Sequence, residues 1–177
     1  IKAVKNCMFN CFPSKEVVAC SRCKNGEKLV SEYRSVPVVN LPLGATEDRI
    51  IGSLDIQKAL QSGDKQLEPG LLASANRGFL YVDEVNLLDD HLVDLLIDVS
   101  ASGINLIERE GLSIEHPAQF VLVGSGNPEE GELRPQLLDR FAFSVDVTTP
   151  ENLEERVQVV KLRQEFDDNP ESFKEKW

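Results

Sequence analysis

Long apolar runs are missing from this sequence: nothing in its 177 residues approaches the ~20 consecutive apolar positions that a membrane-spanning helix needs. No apolar core follows the opening residues Ile1-Lys2-Ala3-Val4-Lys5-Asn6-Cys7, so no secretory signal is read there and a cytoplasmic protein is expected. The first residue is not Met and the end at Phe173-Lys174-Glu175-Lys176-Trp177 is equally abrupt, which leads us to expect a truncation. Basic charge is scarce beyond the first forty residues. Those carry seven basic and three acidic groups, net +4, so the overall −11 leaves −15 for residues 41–177. An acidic body argues against non-specific nucleic-acid binding, which rests on Lys and Arg neutralising phosphates. It suits a protein that recruits cations or protein partners. Cysteine is absent after position 23, and there are no internal repeats or low-complexity segments. Nor is there a single Gly-Lys pair, so these residues contain no G-x-x-x-x-G-K-[ST] phosphate-binding loop.

What is present centres on Gly78-Phe79-Leu80-Tyr81-Val82-Asp83-Glu84-Val85-Asn86-Leu87-Leu88-Asp89-Asp90. Phe79 to Val82, bounded by a glycine and two carboxylates, reads as a short strand buried on both faces. Carboxylates at the carboxyl end of such a strand lie where open α/β sheets bind ligands. In nucleotide hydrolysis the first of such a pair holds Mg²⁺ and the second polarises the attacking water. This is the Walker B arrangement, with Asp83 on the metal and Glu84 on the water. The plainer alternative is that the pair only lends negative charge to the start of the next helix.

All four cysteines, Cys7, Cys11, Cys20 and Cys23, fall in a C-x3-C-x8-C-x2-C pattern. Four thiolates can close a tetrahedral Zn²⁺ site, and Cys20-x2-Cys23 is a metal or redox spacing. Redox thiols and inert thiols are the other two readings. A structural disulfide would be unusual in a cytosolic protein.

The length fits one domain. Residues 1–35 form an irregular Cys-containing segment with no lasting period, and 36–177 an α/β core. Within the core, Ser35–Leu41 reads as a strand, with Pro37 near its start. Ser53–Gln61 is expected as a helix ended by Gly63, and Glu68-Pro69-Gly70 opens another over Leu71, Leu72 and Ala75. Asp89 or Asp90 caps a stronger helix whose stripe is Leu88, Leu92, Leu95, Leu96 and Val99, stopped by Gly103. Ile104–Ile114 reads as a hairpin turning at Glu110-Gly111. Gln119–Gly124 is a second fully buried strand running into Ser125-Gly126-Asn127-Pro128. Thr149-Pro150-Glu151 starts a last helix carrying Leu153, Val157 and Val160 on one side. The order of strands and helices is doubly wound α/β with a parallel sheet.

Asn127 follows a buried strand, where its amide can orient a water or touch a γ-phosphate, although Asn-Pro is also an ordinary turn. Arg134 and Arg140 flank a short helix; arginine stabilises transferring phosphoryl charge, often from a neighbouring subunit, but also makes surface ion pairs. Three stretches then resemble the AAA+ ATPase subunit of magnesium chelatase: Leu41–Arg49, Leu80–Leu88 and Gly126–Phe141. The resemblance covers residues 36 to about 175, and residues 11–23 look like a Cys-bearing segment of some chelatase-type members.

The resemblance implies a P-loop NTPase-type sheet with flanking helices and a β-hairpin insertion. It makes Asp83 and Glu84 Walker B, Asn127 sensor 1 and Arg140 the arginine finger reaching the next protomer's ATP. Residues 43–77 and the hairpin would be the family's two insertions. It further implies an ATP- and Mg²⁺-dependent hexameric ring. That ring acts with the other chelatase subunits to insert Mg²⁺ into protoporphyrin IX, in the plastid stroma if the source is a phototrophic eukaryote. The family's phosphate-binding loop and its sensor 2 arginine are missing here, so we expect an ATPase fragment that binds ATP poorly by itself. A related ATPase for cobalt chelation or metalloprotein maturation, and a nucleotide-free scaffold presenting Arg140, are the alternatives.

Overall fold

The computed structural model describes residues 1–14, 20, 23–24, 29–54, 67–109, 112–131, 135–139 and 141–176. They fall into two compact units, Ile1–Ala142 and Phe143–Trp177.

The first unit is built on a three-stranded parallel sheet. Strands β1 (Lys2–Val4) and β2 (Ser31–Tyr33) pair antiparallel in the amino-terminal segment, so that stretch is less irregular than its sequence suggests. β3 (Val38–Leu41) is followed by helix α1 (Glu47–Ile51), the antiparallel pair β4 (Gly52–Leu54) and β5 (Leu67–Pro69), and helix α2 (Leu71–Ala75). β6 (Phe79–Val82), helix α3 (Asp90–Ser102), hairpin strands β7 (Ile104–Arg109) and β8 (Leu112–Pro117), β9 (Val121–Gly124) and helix α4 (Pro135–Leu138) complete the unit. The sheet order is β3-β6-β9, all parallel, with Val82 opposite both Leu41 and Gly124. Both connections carry helices, as parallel crossovers require.

Phe79 N donates to Pro37 O at 2.9 Å. A Cβ on Gly78 would lie 2.1 Å from that same carbonyl, so only glycine lets the two strands start side by side. β3 begins at Val38 rather than at Ser35.

Of the two strands expected to be buried on both faces, β6 is buried on one, and β9 has only Leu122 half-buried, its other residues being exposed. Leu80 and Val82 are fully buried, whereas Phe79 is 40% exposed and Val121 55% exposed. The helices and hairpin cover only the Leu80/Val82 side. That core joins Leu41, Ile50, Leu72, Leu80, Val82, Leu96 and Ile107. Each fully buried aliphatic side chain contributes roughly 1.5–3 kcal/mol.

Helix α3 buries Leu92, Val93, Leu96, Ile97 and Val99, so its inward stripe runs through Val93 and Ile97 rather than through half-buried Leu95. Leu88 lies before the helix, buried at the position that staples onto the N4 residue Val93. Asp89 is the N-cap residue, although its side chain makes no capping bond. Gly103 ends the helix at φ 69°, as the sequence suggests.

The expected helix from Ser53 is corrected in its first two residues, which pair with Glu68 and Leu67 as β4; residues 55–66, Gly63 included, lie outside the described residues. The hairpin is present and longer than expected, reaching Pro117, while its turn at Glu110-Gly111 also lies outside them.

In the second unit, α5 (Leu153–Asp168) is followed by α6 (Pro170–Lys174). The cap of α5 is Asn152, whose side chain accepts from Glu154 N at 2.9 Å, and not Thr149. Phe166 and Phe173 meet edge to face at 5.6 Å. Leu153, Val157 and Val160 are exposed.

Candidate functional site

The parallel pairing of β6 with β9 brings the residues after Val82 beside those after Gly124. Asp83, Glu84 and Ser125 are therefore neighbours at the carboxyl edge of the sheet. Ser125 N donates to Val82 O at 3.0 Å, and Val85 N donates to Ser125 O at 2.8 Å, so the ladder extends past the strands on both sides of Ser125. The Ser125 hydroxyl donates to Asp83 Oδ1 and accepts from Glu84 N at 3.2 Å. Tyr81 OH donates to the same carboxylate oxygen at 3.1 Å. Asp83 is exposed, and these donors, Ser125 first and Tyr81 second, hold its carboxyl below the usual range. Its anionic form is the one the site is built for.

Glu84 stands at φ 53°, ψ 52°, left-handed backbone that a side chain other than Asn or Gly rarely adopts. The conformation ends β6 sharply and starts a single 3-10 turn, Val85–Leu87. Asn127 lies two residues beyond Ser125 on the same edge. Its Oδ1 accepts from Glu129 N at 3.1 Å, capping the short turn Pro128–Glu130, and its carbonyl accepts from Asn86 Nδ2 at 3.4 Å. Asn86 Oδ1 is buried with no partner among the described residues. Gly124 gives this corner its tight packing: a Cβ there would meet Phe141 at 3.1 Å and Val85 at 3.2 Å.

The structure thus brings Asp83, Glu84 and Asn127 to one edge. Arg134 and Arg140 lie outside the described residues. Sequence reasoning missed Ser125 and Tyr81. Tyr81 is legible as the residue two before an acid on a strand; Ser125 needs the register of β9. A cleft of about 870 Å³ is lined by Glu47, His91, Asp94, Asp98, Ser102 and Glu108 among others and contains none of these edge residues.

A second constellation lies in the amino-terminal segment. The Sγ atoms of Cys7, Cys11, Cys20 and Cys23 all lie within 4.8 Å of one another, and all four residues are buried. None is disulfide-bonded. Asn6 and Asn10 take left-handed backbone at φ 58° and 47°, turning the chain around Cys7 and into Cys11. Val4 N donates to Cys11 O at 2.9 Å, closing that loop, and Arg34 Nη1 donates to Cys7 O and to Asn10 Oδ1, each at 2.8 Å. Hydrogen bonds with Cys11 and then Cys20 hold Cys7 below the ordinary thiol range, whereas bonds with Cys20 and Cys7 push Cys11 above it. Burial, followed by Cys7, raises Cys23 to about 12.

Among the described residues no helix is long and apolar enough to cross a membrane. A family model described as magnesium chelatase, subunit ChlI, matches residues 55–136. The magnesium-chelatase 38 kDa subunit of Acidiphilium rubrum is 57% identical over 98% of this chain and 51% of its own length. That of Chlorobaculum parvum is 70% identical over 82% of this chain and 42% of its own. A magnesium-chelatase subunit ChlI homolog of Methanocaldococcus jannaschii is 54% identical over the whole chain and 49% of its own length. A structure modelling the complex between subunits BchI and BchD of magnesium chelatase matches with a TM-score of 0.72 at 52% identity. It covers all of this chain and 54% of the matched one. The chain spans about half the length of the curated relatives it matches.

Proposed function

The chain belongs to the magnesium-chelatase ChlI family, with an AAA+ α/β fold, and from that premise we propose that it carries the metal- and water-handling side of an ATP-hydrolysing site. The observation that carries this reading is the fixing of Asp83 by Ser125 from the neighbouring parallel strand, with Glu84 next to it.

Asp83 fits Mg²⁺: it is an exposed carboxylate kept anionic by two hydroxyl donors, and hard oxygen donors are what that ion takes. Mg²⁺ bound with ATP neutralises phosphate charge as it develops. Glu84, its backbone pinned by Ser125 Oγ, orients the attacking water and accepts its proton. Asn127 has Oδ1 committed to the Glu129 amide, so it offers its NH₂ group as the donor to the water or the γ-phosphate. Arg140 is the arginine finger, completing the site of a neighbouring protomer in a hexameric ring.

Relatives carrying the magnesium-chelatase name, and a matched structure that pairs BchI with BchD, support the wider reading. In it, hydrolysis in the ring drives the other chelatase subunits to insert Mg²⁺ into protoporphyrin IX during chlorophyll synthesis, in the cytoplasm or plastid stroma. Residues 1–35 act as an appended segment on this core.

The test is Glu84→Gln in a protein of the relatives' length that carries this sequence. Mg-ATP affinity should stay within about twofold, because the amide is close in shape and Asp83 is untouched, while hydrolysis falls by roughly 10²-fold or more for want of the base. Unchanged hydrolysis would overturn the assignment of Glu84.

A further inference from the structure

We propose that Cys7, Cys11, Cys20 and Cys23 bind one Zn²⁺ as a tetrathiolate, and that this ion fastens the amino-terminal segment to the strands that carry the hydrolytic edge. The geometry carries the first half. A tetrahedral zinc with Zn–S bonds of about 2.3 Å sets its sulfurs about 3.8 Å apart. Here Cys7 Sγ lies 3.9 Å from Cys20 Sγ and 3.6 Å from Cys23 Sγ, and no pair exceeds 4.8 Å. Buried cysteines are common as small apolar side chains, but packing alone has no reason to point four sulfurs at one spot. The spacing is too tight for an iron–sulfur cube, whose own atoms would have to fit between the ligands.

The surrounding bonds resemble a metal site's outer shell. Cys20 N points at Cys11 Sγ at 3.4 Å, and Arg34 holds the Cys7 carbonyl. Lys24 N donates back to Cys20 O at 2.9 Å.

The second half follows from where the loop is anchored. Phe9, between two of the cysteines, stacks on His116 of β8 with ring centres 4.8 Å apart. Phe9 O accepts from Asn76 Nδ2 at 2.5 Å, and Asn76 Oδ1 accepts from Gln119 N at 2.9 Å. Asn76 is buried, two residues before Gly78; Gln119 lies two residues before β9. Arg77 adds bonds to Lys2 O at 2.6 Å and Asn10 O at 3.1 Å, and Lys24 pairs with Glu115 at 2.9 Å. The cysteine loop is therefore tied to the entry points of both β6 and β9, the strands whose far ends present Asp83 and Ser125. The zinc site is a bracket for that pair of strands, separate from the Mg²⁺ edge.

The experiment starts with elemental analysis of the untouched chain, purified without added metal. About one zinc per chain is expected, retained through mild chelator washing. Cobalt substituted for zinc should give the visible bands of a tetrahedral tetrathiolate. Cys20→Ser should lose most of the metal. Stripping the wild type with a thiol-reactive mercurial should raise amide hydrogen exchange at least tenfold over residues 76–82 and 118–124. Metal-free protein with four freely titrating thiols would overturn the proposal, as would iron in place of zinc, or a disulfide by mass spectrometry. Zinc at full stoichiometry with unchanged exchange after stripping would overturn the bracket role.

Discussion

Ser125 Oγ donates to Asp83 Oδ1 across the β6–β9 pairing, and so ties the acid of one strand to the hydroxyl of the next. The same hydroxyl accepts from Glu84 N. One small side chain therefore lowers the pKa of Asp83, the acid proposed for Mg²⁺, and pins the backbone of Glu84, the residue proposed for the water.

Ser125→Ala removes both bonds. ATP hydrolysis in the assembled subunit should fall roughly tenfold, the scale of a lost hydrogen bond to a charged group, with most of the loss in Mg²⁺ affinity. Ser125→Thr keeps the hydroxyl and should restore most of the activity. The measurement is the Mg²⁺ dependence of ATPase rate for the three proteins; equal profiles would remove Ser125 from the site.

Glu84 separates stability from activity. Its left-handed backbone is costly for a branched residue, so Glu84→Val should be less stable than Glu84→Gly by about 1–2 kcal/mol. Both should lack hydrolysis. Urea unfolding of the two variants checks the order. A Val variant as stable as the Gly one would mean that the turn relaxes.

Arg140→Ala should also abolish hydrolysis, by removing positive charge from a site completed only on assembly. Mixing it with Glu84→Gln leaves some interfaces with an intact Glu84 from one protomer and an intact Arg140 from its neighbour. Partial activity should return. If demonstrably mixed rings stay inactive, either Arg140 acts within its own protomer or hydrolysis needs every interface intact; normal hydrolysis by a ring of Arg140→Ala alone would remove Arg140 from the site.

His116 supplies a pH dependence of stability. Asn105 Nδ2 donates to Ile51 O at 2.9 Å and lies 3.0 Å from His116 Nε2, which must therefore accept, and His116 Nδ1 donates to Pro117 O at 3.0 Å. That is the neutral ring, and burial lowers its pKa below the ordinary 6.5. The unfolded ring then binds a proton first. Stability contributed here is complete above about pH 6.5 and is lost as pH falls toward the folded-state value. Urea midpoints between about pH 5 and 7 should fall more steeply for the wild type than for His116→Gln. Parallel curves would contradict a neutral buried ring.

The sequence alone decided much. A four-residue apolar run ending in two acids, glycines at 78 and 103, and the Asn127 corner after a second apolar run placed the parallel strands, helix α3 and three residues at one sheet edge, because those signals are local. It also gave the cysteine set. It did not reveal that β6 is buried on one face only and that β9 is mostly exposed, since burial depends on what packs there. Nor could it show that α3 turns Val93 and Ile97 inward, a choice made by the core opposite. Ser125 became a site residue only through the register Val82↔Gly124, and the four cysteines became one cluster only through turns at Asn6 and Asn10. Local chemistry is written along the chain; which distant atoms share a hydrogen bond or a metal is set by packing across it.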